Sequence, residues 1–441
     1  MQCFLVFSTA IITFNIQHQV IVKPEIGNAV LHIKSITPND PNICPWIYRG
    51  TANILTDQNT YINVAFKMTS QKGHKRLIGD VTYQCKAKIK PGQTGEFIIK
   101  LLDQPKAIKT SYGLTEWRYK SKKFIEDTLL KQSNYPQASE FLIALFSGVM
   151  YDAKLTLPLQ KAGLTHLIAI SGLHFSLIAS ILGTLLKTLF SQKCSYALLI
   201  GFGTLYFLFI GPTPSVERAW LMLTFSLWGI FTDKQVRPLN LLGLAMIVVI
   251  LQEFHVIKQL GFILSFSLTA ALLLLSQPFE HILRNIIPKR SYRQLKSLHI
   301  VDQHAYVLLA MIRRISALSI AVNCIAIPFM LTYFGSFPIS SLIYNLFFPA
   351  CMGFLLTGVL VSLPLVTITG WSGPYHVVEF FTHHLLQVAI HPINSLAFQW
   401  RCQSVPFCFF VIYMILMMNW AVKRHIQNLN TQGIVPQIFW I

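Results

Sequence analysis

The chain has 441 residues, of which 53% are hydrophobic and only 12% are charged, and its formal net charge is +19. This composition excludes a single water-soluble core, because so few polar side chains cannot cover a domain of this size. The chain is predicted to be a multi-pass membrane protein.

The positive charge is not explained by membrane topology alone. In a membrane protein, part of such an excess marks the cytoplasmic loops. Residues 1 to 140, however, lack a clear multi-pass pattern and still hold 18 Lys and Arg against 10 Asp and Glu. This excess favours a polyanionic partner for the amino-terminal region, with anionic membrane lipids as the alternative.

The amino-terminal region is predicted to be rich in β-strands. Residues 1–19 are predicted to be a short apolar anchor, or the remnant of one, without a basic segment before it. Residues 20–112 contain the strand-like runs "QVIVK", "AVLHIKSI", "YINVAFKM", "DVTYQCKAKI" and "GEFIIKLL", separated by turn signals such as "TPNDPN" and "KPGQTG". Such a series predicts a small β-barrel or sandwich.

Two of the eight cysteines, Cys44 and Cys85, lie in this polar region. If the region is exported, a disulfide between them is expected. The cysteines include no CxxC pair, so no structural zinc or iron–sulfur site is predicted.

Residues 113–160 are predicted to be a helical connector. The stretch "LTEWRYKSKKFIEDTLLKQ" can be wound as an amphipathic helix. Its apolar stripe contains Leu114, Trp117, Phe124, Thr128 and Leu129. A helix lying on the membrane surface is the main interpretation, and direct contact with a polyanion is the alternative.

Residues 161–425 are predicted to be the transmembrane part, with about 8 to 10 membrane segments and a tail at 426–441. The most basic loop, 277–305, is placed in the cytoplasm, which puts residues 20–160 outside. After residue 339 the map needs an extra crossing. Either 339–367 folds as two broken segments, or "VVEFFTHHLLQVAIHPI" enters the membrane.

Polar residues recur within these apolar stretches. "THLIAISGLHF" contains Ser171 and His174, which are read either as partners in interhelical hydrogen bonds or as the nucleophile and base of an intramembrane hydrolase. "GPTPSVERAWLML" contains Glu217 and Arg218, either an interfacial pair or a pore cation for a passing phosphate. Ser265 and Asn345 lie in two further apolar stretches, as packing devices or as part of a polar interior.

Several enzyme classes are not indicated. The sequence contains neither a GxxxxGK[ST] phosphate loop nor an HxHxDH metal motif. No catalytic activity and no cofactor are therefore predicted, and the energy for transport is expected to come from another protein.

Taken in order, the motifs resemble those of the ComEC-type competence proteins, which are inner-membrane channels for DNA uptake in natural transformation. The resemblance covers roughly residues 140 to 350. It rests on "ALFSGVMYDAKLTLPLQKAGLTHLIAISGLHFSLIAS", "GPTPSVERAWLML", "NLLGLAMIVVILQ", "LGFILSFSLTAALLLL" and "IPFMLTYFGSFPISSLIYNLFFP".

The resemblance implies a fold and a function. The amino-terminal domain would be an extracytoplasmic oligonucleotide-binding fold that receives single-stranded DNA, and the α-helical competence domain would conduct the strand inward. A periplasmic DNA receptor, a cytoplasmic translocase or helicase, membrane lipids and further copies of the chain are the expected partners. Many members carry a carboxyl-terminal metallo-β-lactamase-like domain, which this sequence is expected to lack, so another protein would supply any nuclease step.

The resemblance also suggests site residues. The positions expected along the DNA path are His166, Ser171, Gly172, His174, Glu217, Arg218, Ser265 and Asn345. The residues expected to stack bases in the β-rich domain are Trp46, Tyr48, Tyr61, Phe66 and Tyr83. A small-molecule or lipid transporter remains the main alternative, and the serine hydrolase is a more distant one.

Overall fold

A six-stranded sheet precedes the helices in the structure, a computed structural model of the chain. It describes residues 25–38, 46–56, 60–70, 76–92, 96–109, 113–149, 153–164, 170, 172–234, 236–290, 294–295, 299–390, 399–401, 410, 412–417, 419–420 and 423. The predicted strand "QVIVK" and the predicted anchor lie outside these residues.

Six strands form one sheet that closes on itself. They are β1 (Glu25–Pro38), β2 (Trp46–Thr56), β3 (Thr60–Thr69), β4 (Thr82–Pro91), β5 (Phe97–Leu101) and β6 (Lys106–Lys109). β1 pairs with both β2 and β4, and β5 pairs with β3 in parallel and with β4 antiparallel, so the pairings close the ring β1-β2-β3-β5-β4-β1. β6 adds to β4. The predicted β-rich domain is confirmed, and the ring of pairings is that of a small barrel.

β2 was not among the predicted strands, and its backbone contact with β1 explains why. β1 has an irregularity between Ile33 and Ser35, opposite Gly50 of β2. A Cβ atom on Gly50 would collide with the carbonyl oxygen of His32. The glycine is needed for this close approach, and it interrupts the hydrophobic alternation by which a strand is recognised.

Three short helices follow the barrel: α1 (Leu114–Lys131), α2 (Pro136–Ser147) and α3 (Ala153–Lys161). α1 buries Ile125 and Leu129, whereas Leu114, Trp117 and Phe124 are exposed. The predicted apolar stripe is therefore wrong in one respect, since Leu129 packs inside the protein while three other members face outward. The exposed members leave a helix suited to a membrane surface.

α1 is fixed to the barrel by polar contacts at its first turn. Thr115 donates its backbone N–H to Oδ2 of Asp80 over 2.6 Å and its hydroxyl to Oδ1 over 2.7 Å. Arg76 forms two hydrogen bonds with Glu116, of 2.9 and 2.6 Å. A carboxylate acceptor at the start of a helix satisfies an amide that has no partner within the helix. The barrel and α1 are thus joined rigidly.

In the described residues eight further α-helices follow: α4 (Gly172–Leu189), α5 (Gln192–Ile210), α6 (Pro214–Phe231), α7 (Pro238–Gln252), α8 (Leu260–Leu283), α9 (Ile300–Phe334), α10 (Ser340–Thr369) and α11 (Gly373–Ile390). Within the described residues, α4, α5, α8, α9 and α10 are long and apolar enough to cross a membrane. The chain is a multi-pass membrane protein, as predicted.

The structure decides against one of the two arrangements predicted after residue 339. α10 is a single continuous helix from Ser340 to Thr369, with Pro349 and Pro364 inside it. The prediction of two broken segments in 339–367 is wrong, because neither proline ends the helix. α11 packs against α10. It is not among the described helices that are long and apolar enough to cross a membrane, so entry of "VVEFFTHHLLQVAIHPI" into the membrane stays a prediction.

A buried carboxylate on α11 anchors the connector. Oε1 of Glu379 accepts hydrogen bonds from the backbone N–H groups of Asn134 and Tyr135, over 2.9 and 2.7 Å, and from the hydroxyl of Ser139 over 2.8 Å. These donors surround the start of α2, where a negative charge is favourable. Glu379 thereby fixes α2 to the helical domain.

Candidate nucleic-acid interface

The barrel carries a face of exposed lysines on β4, β5 and β6. In β4 the inward residues alternate with Lys86, Lys88 and Lys90, which point outward. Lys100 of β5 lies directly opposite Lys88. We refer to this surface as the lysine face, and its members are Lys86, Lys88, Lys90, Lys100, Lys106 and Lys109. The alternating "KAKIK" in the sequence is the signal that would have located it.

Three of the aromatic residues expected to stack bases are instead core residues. Tyr48, Phe66 and Tyr83 are buried inside the barrel. The hydroxyl of Tyr48 accepts the N–H of Leu77 over 3.0 Å, and burial raises its pKa to about 12. For these three residues, base stacking is not supported by the structure, because a base cannot reach their rings.

The other two aromatic residues are partly exposed. Trp46 makes an edge contact with Tyr119 of α1, with ring centroids 5.7 Å apart. Tyr61 lies 5.0 Å from Phe97 by the same measure. These pairs retain open ring edges, so base stacking by Trp46 and Tyr61 stays a prediction.

Cys85 is a free thiol inside the barrel. Its sulfur lies 3.7 Å from the carbonyl oxygen of Ala29, and burial raises its pKa to about 11. Cys44 lies outside the described residues. The state of Cys85 does not support the predicted disulfide.

α1 connects the barrel to the helical domain at the carboxyl end of α5. Nε of Arg118 donates to the carbonyl oxygen of Leu208 over 2.5 Å, and Nζ of Lys122 donates to that of Ile210 over 2.9 Å. The last carbonyls of a helix lack intrahelical partners and attract cations. Burial, together with the charge of Arg118, lowers the pKa of Lys122 to about 8. In the predicted topology this end of α5 is extracytoplasmic.

Two residues named from separate motifs meet close to this junction. α6 begins with Pro214, a residue favoured at the first helical position, and Arg218 follows in its second turn. A Cβ atom on Gly172, the first residue of α4, would lie 2.7 Å from Nη2 of Arg218. Glycine therefore allows the guanidinium to reach the amino terminus of α4.

The surroundings of this contact are apolar. Ile170, Phe175 and Val216 form one buried cluster there. Arg218 is 9% exposed, and His174 is 2% exposed. Nε of Arg218 has no hydrogen-bond partner among the residues that the structure describes. A desolvated guanidinium without an acceptor is costly, which marks the position as unusual.

The remaining predicted site residues are placed around this pair without joining it. Glu217 lies in the first turn of α6 and is half-buried. Ser265 lies on α8, which packs against α6, and Asn345 lies on α10, which packs against α4. In the described parts of the chain, no contact links either residue to Arg218. His166 and Ser171 lie outside the described residues.

No group of three or more His, Cys, Asp or Glu side chains suited to a metal ion occurs among the described residues. The groups that the described residues present at the candidate interface are fixed cations, amide dipoles and aromatic edges. Such groups bind anions and bases.

Comparisons with known proteins agree with the sequence resemblance. ComE operon protein 3 of Bacillus subtilis (strain 168) is 31% identical to this chain over 173 residues, which are 38% of this chain and 22% of that protein. The chain thus aligns with about a fifth of the length of that relative. No solved structure matches. A family model described as "Competence protein" matches residues 150–425, more than half of the sequence, and the chain therefore belongs to the competence protein family as a multi-pass protein of the inner membrane.

Proposed function

We propose that this chain carries single-stranded DNA across the inner membrane during DNA uptake. The observation that carries the proposal is the lysine face on a barrel that precedes the membrane helices. Like charges directly opposite each other on neighbouring strands, as at Lys88 and Lys100, destabilise a sheet by roughly 0.2 to 1 kcal/mol. A polyanionic ligand turns this cost into binding energy through the release of counterions.

The connections between the parts support a path for the strand. The barrel is held to α1 by Arg76 and Asp80, and α1 is held to the end of α5 by Arg118 and Lys122. A strand bound at the barrel would thus be presented to a fixed part of the helical domain, near the starts of α4 and α6.

In this proposal the polar groups of the membrane helices line the path. Gly172, His174, Glu217 and Arg218 lie at its entrance. Ser265, Asn345, His166 and Ser171 are proposed as positions further along it, because polar groups at membrane depth are tolerated where they face a hydrated interior. A receptor outside and a translocase inside would deliver the strand and supply the energy.

The test compares two triple variants of the full chain in nanodiscs. The first is Lys86→Gln, Lys88→Gln and Lys100→Gln on the lysine face. The control, with the same change in charge, replaces the exposed lysines Lys131, Lys161 and Lys234 by Gln. Binding of a fluorescent single-stranded oligonucleotide is measured between low and physiological salt.

For the first variant we expect weaker binding and a smaller salt dependence, by roughly 0.7 in the log–log slope for each lost phosphate contact. The same variant should take up less labelled single-stranded DNA into cells. Equal binding and equal uptake by both triple variants would contradict the proposal.

Lipid transport is the second candidate, and one feature favours it. A groove of about 560 Å³ lies between α1, the end of α5 and the end of α10, and Phe124, Phe209 and Leu363 are among its lining residues. Its apolar lining, with Lys120 beside it, suits an anionic phospholipid. Faster exchange of labelled lipid between the leaflets of proteoliposomes, with DNA uptake unaffected by loss of the protein, would favour this candidate.

A further inference from the structure

We infer that Arg218 and the amino terminus of α4 form a binding site for a phosphate group of the transported strand. This inference rests on the proposed function and names the contact that the strand makes within the membrane. The juxtaposition of a buried guanidinium with a helix amino terminus, made possible by Gly172, is the observation behind it.

Arg218 and the amino terminus of α4 together create a positive electrostatic potential. The aligned peptide dipoles of α4, which has 18 residues, place a partial positive charge at its amino terminus. Nη2 of Arg218 lies close enough to this end to touch a Cβ atom on Gly172. Two positive groups therefore lie side by side in a space from which water is largely excluded, and an anion that contacts both would turn this repulsion into two attractions.

Arg218 is buried without a hydrogen-bond partner for its Nε in the described part of the chain. A buried arginine is normally paired with a carboxylate or with carbonyl groups. Arg218 makes no salt bridge and no hydrogen bond with any residue in the described part of the chain. Its neighbour Glu217 lies about 100° further round the helix, since an α-helix has 3.6 residues per turn. We assign the role of acceptor for this guanidinium to a ligand.

A phosphate is the anion that suits an arginine beside a helix amino terminus. The planar fork of an arginine matches two oxygens of a phosphate, and helix amino termini bind phosphate in many proteins. Ile170, Phe175 and Val216 enclose the site with protein side chains. A lipid headgroup would be expected on the lipid-facing surface, whereas this position lies between packed helices. The phosphodiester of a nucleic acid strand is the anion that the proposed function brings there.

The test uses three full-length variants in cells and in nanodiscs. Arg218→Gln removes the charge, and Arg218→Lys keeps the charge but loses the fork. Arg314→Gln is the matched control, since Arg314 is exposed on α9. Three quantities are measured: entry of labelled single-stranded DNA, binding of the same oligonucleotide by purified protein, and thermal unfolding.

Arg218→Gln should reduce DNA entry at least roughly tenfold, as expected for the loss of a charge-assisted contact, with a smaller reduction for Arg218→Lys. Oligonucleotide binding should stay at the wild-type level, because the lysine face is intact. The unfolding temperature should not fall, because Arg218 has no internal partner to lose.

Entry of DNA that depends on the protein but not on Arg218 would overturn the inference and leave the proposed function standing. Entry that does not depend on the protein at all would instead refute the proposed function. A large fall in the unfolding temperature of Arg218→Gln would show that the arginine is structural. Loss of bound anionic phospholipid from that variant alone, with DNA entry unchanged, would assign the site to a headgroup.

Discussion

Two arginines that are shielded from solvent in this chain have opposite environments. Arg76, at the joint between the barrel and α1, makes two hydrogen bonds with Glu116 and lies 4.3 Å from the ring centroid of Tyr119. The hydrogen bonds that Arg76 donates to Glu116 raise the pKa of Arg76 and lower the pKa of Glu116. Arg218 is more deeply buried and has no such acceptor among the described residues.

The difference shows that burial of a charge does not by itself reveal its role. A guanidinium whose donors are satisfied within the chain fixes one element against another. A guanidinium whose donors are unsatisfied costs stability, and such a cost is retained where a ligand offsets it. The predictions below test this contrast, beginning with the largest effect.

Replacing Arg76 by Met should lower the free energy of unfolding by about 2 to 3 kcal/mol, because Glu116 keeps its charge and loses its partner. Thermal or denaturant unfolding of the purified chain measures this change. In the double variant Arg76→Met and Glu116→Gln, part of the loss should be recovered, since no unpaired charge remains. Additive losses in the double variant would show that the two side chains are not coupled.

Replacing Gly172 by Ala should reduce DNA entry roughly threefold, which corresponds to less than 1 kcal/mol. The new methyl group would lie 2.7 Å from Nη2 of Arg218, and the guanidinium must move away. Stability should change little, because the atom that moves is the end of a flexible side chain.

The control for this variant is Gly261→Ala, at a helical glycine of α8 with no atom within 4 Å of the added methyl group. Uptake by the control should equal that of the wild type. An equal reduction in both variants would mean that helix geometry, and not the position of Arg218, limits DNA entry.

Replacing Lys122 by Met should remove one pH-dependent contribution to the stability of the chain. The pKa of Lys122 is about 8 in the folded chain because the side chain is buried beside Arg118, whereas an unfolded lysine has a pKa of about 10.4. Between these two values the unfolded chain binds a proton that the folded chain does not, so stability contributed by this group rises with pH.

The effect is measured as unfolding temperatures at about pH 7.5 and about pH 10, which lie close to the pKa of Lys122 in the folded and in the unfolded chain. The wild type should gain stability relative to Lys122→Met as the pH rises across this interval. Lys131→Met, at the exposed end of the same helix, should behave as the wild type. Parallel pH curves for the wild type and Lys122→Met would mean that Lys122 is solvated in the folded chain.

Much of the fold could be predicted from residue patterns, because alternation and long apolar stretches are local signals. β4 and β5 were found in this way, as were most of the membrane helices. β2 was not predicted, because Gly50 occupies an inward position at which an apolar side chain would have indicated a strand. A glycine is needed there because the backbone lies close to His32 of β1.

The candidate site was predictable only in part. Gly172 and Arg218 were each named from their motifs, but their contact depends on how α4 packs against α6, which no local pattern gives. For the aromatic residues of the barrel, the residue type predicted a binding role that their position in the structure does not support. Tyr48, Phe66 and Tyr83 have the residue type that stacks on bases, yet the phase of their strands directs them into the barrel core.

The docking of α1 on the end of α5 also orders the assembly of the chain during synthesis. Arg118 and Lys122 bind carbonyls of Leu208 and Ile210, which leave the ribosome about 90 residues later. The barrel can close as soon as β5 has emerged, but α1 cannot make these two contacts until α5 has been synthesised. The joint between α1 and the helical domain is therefore completed later than the barrel itself.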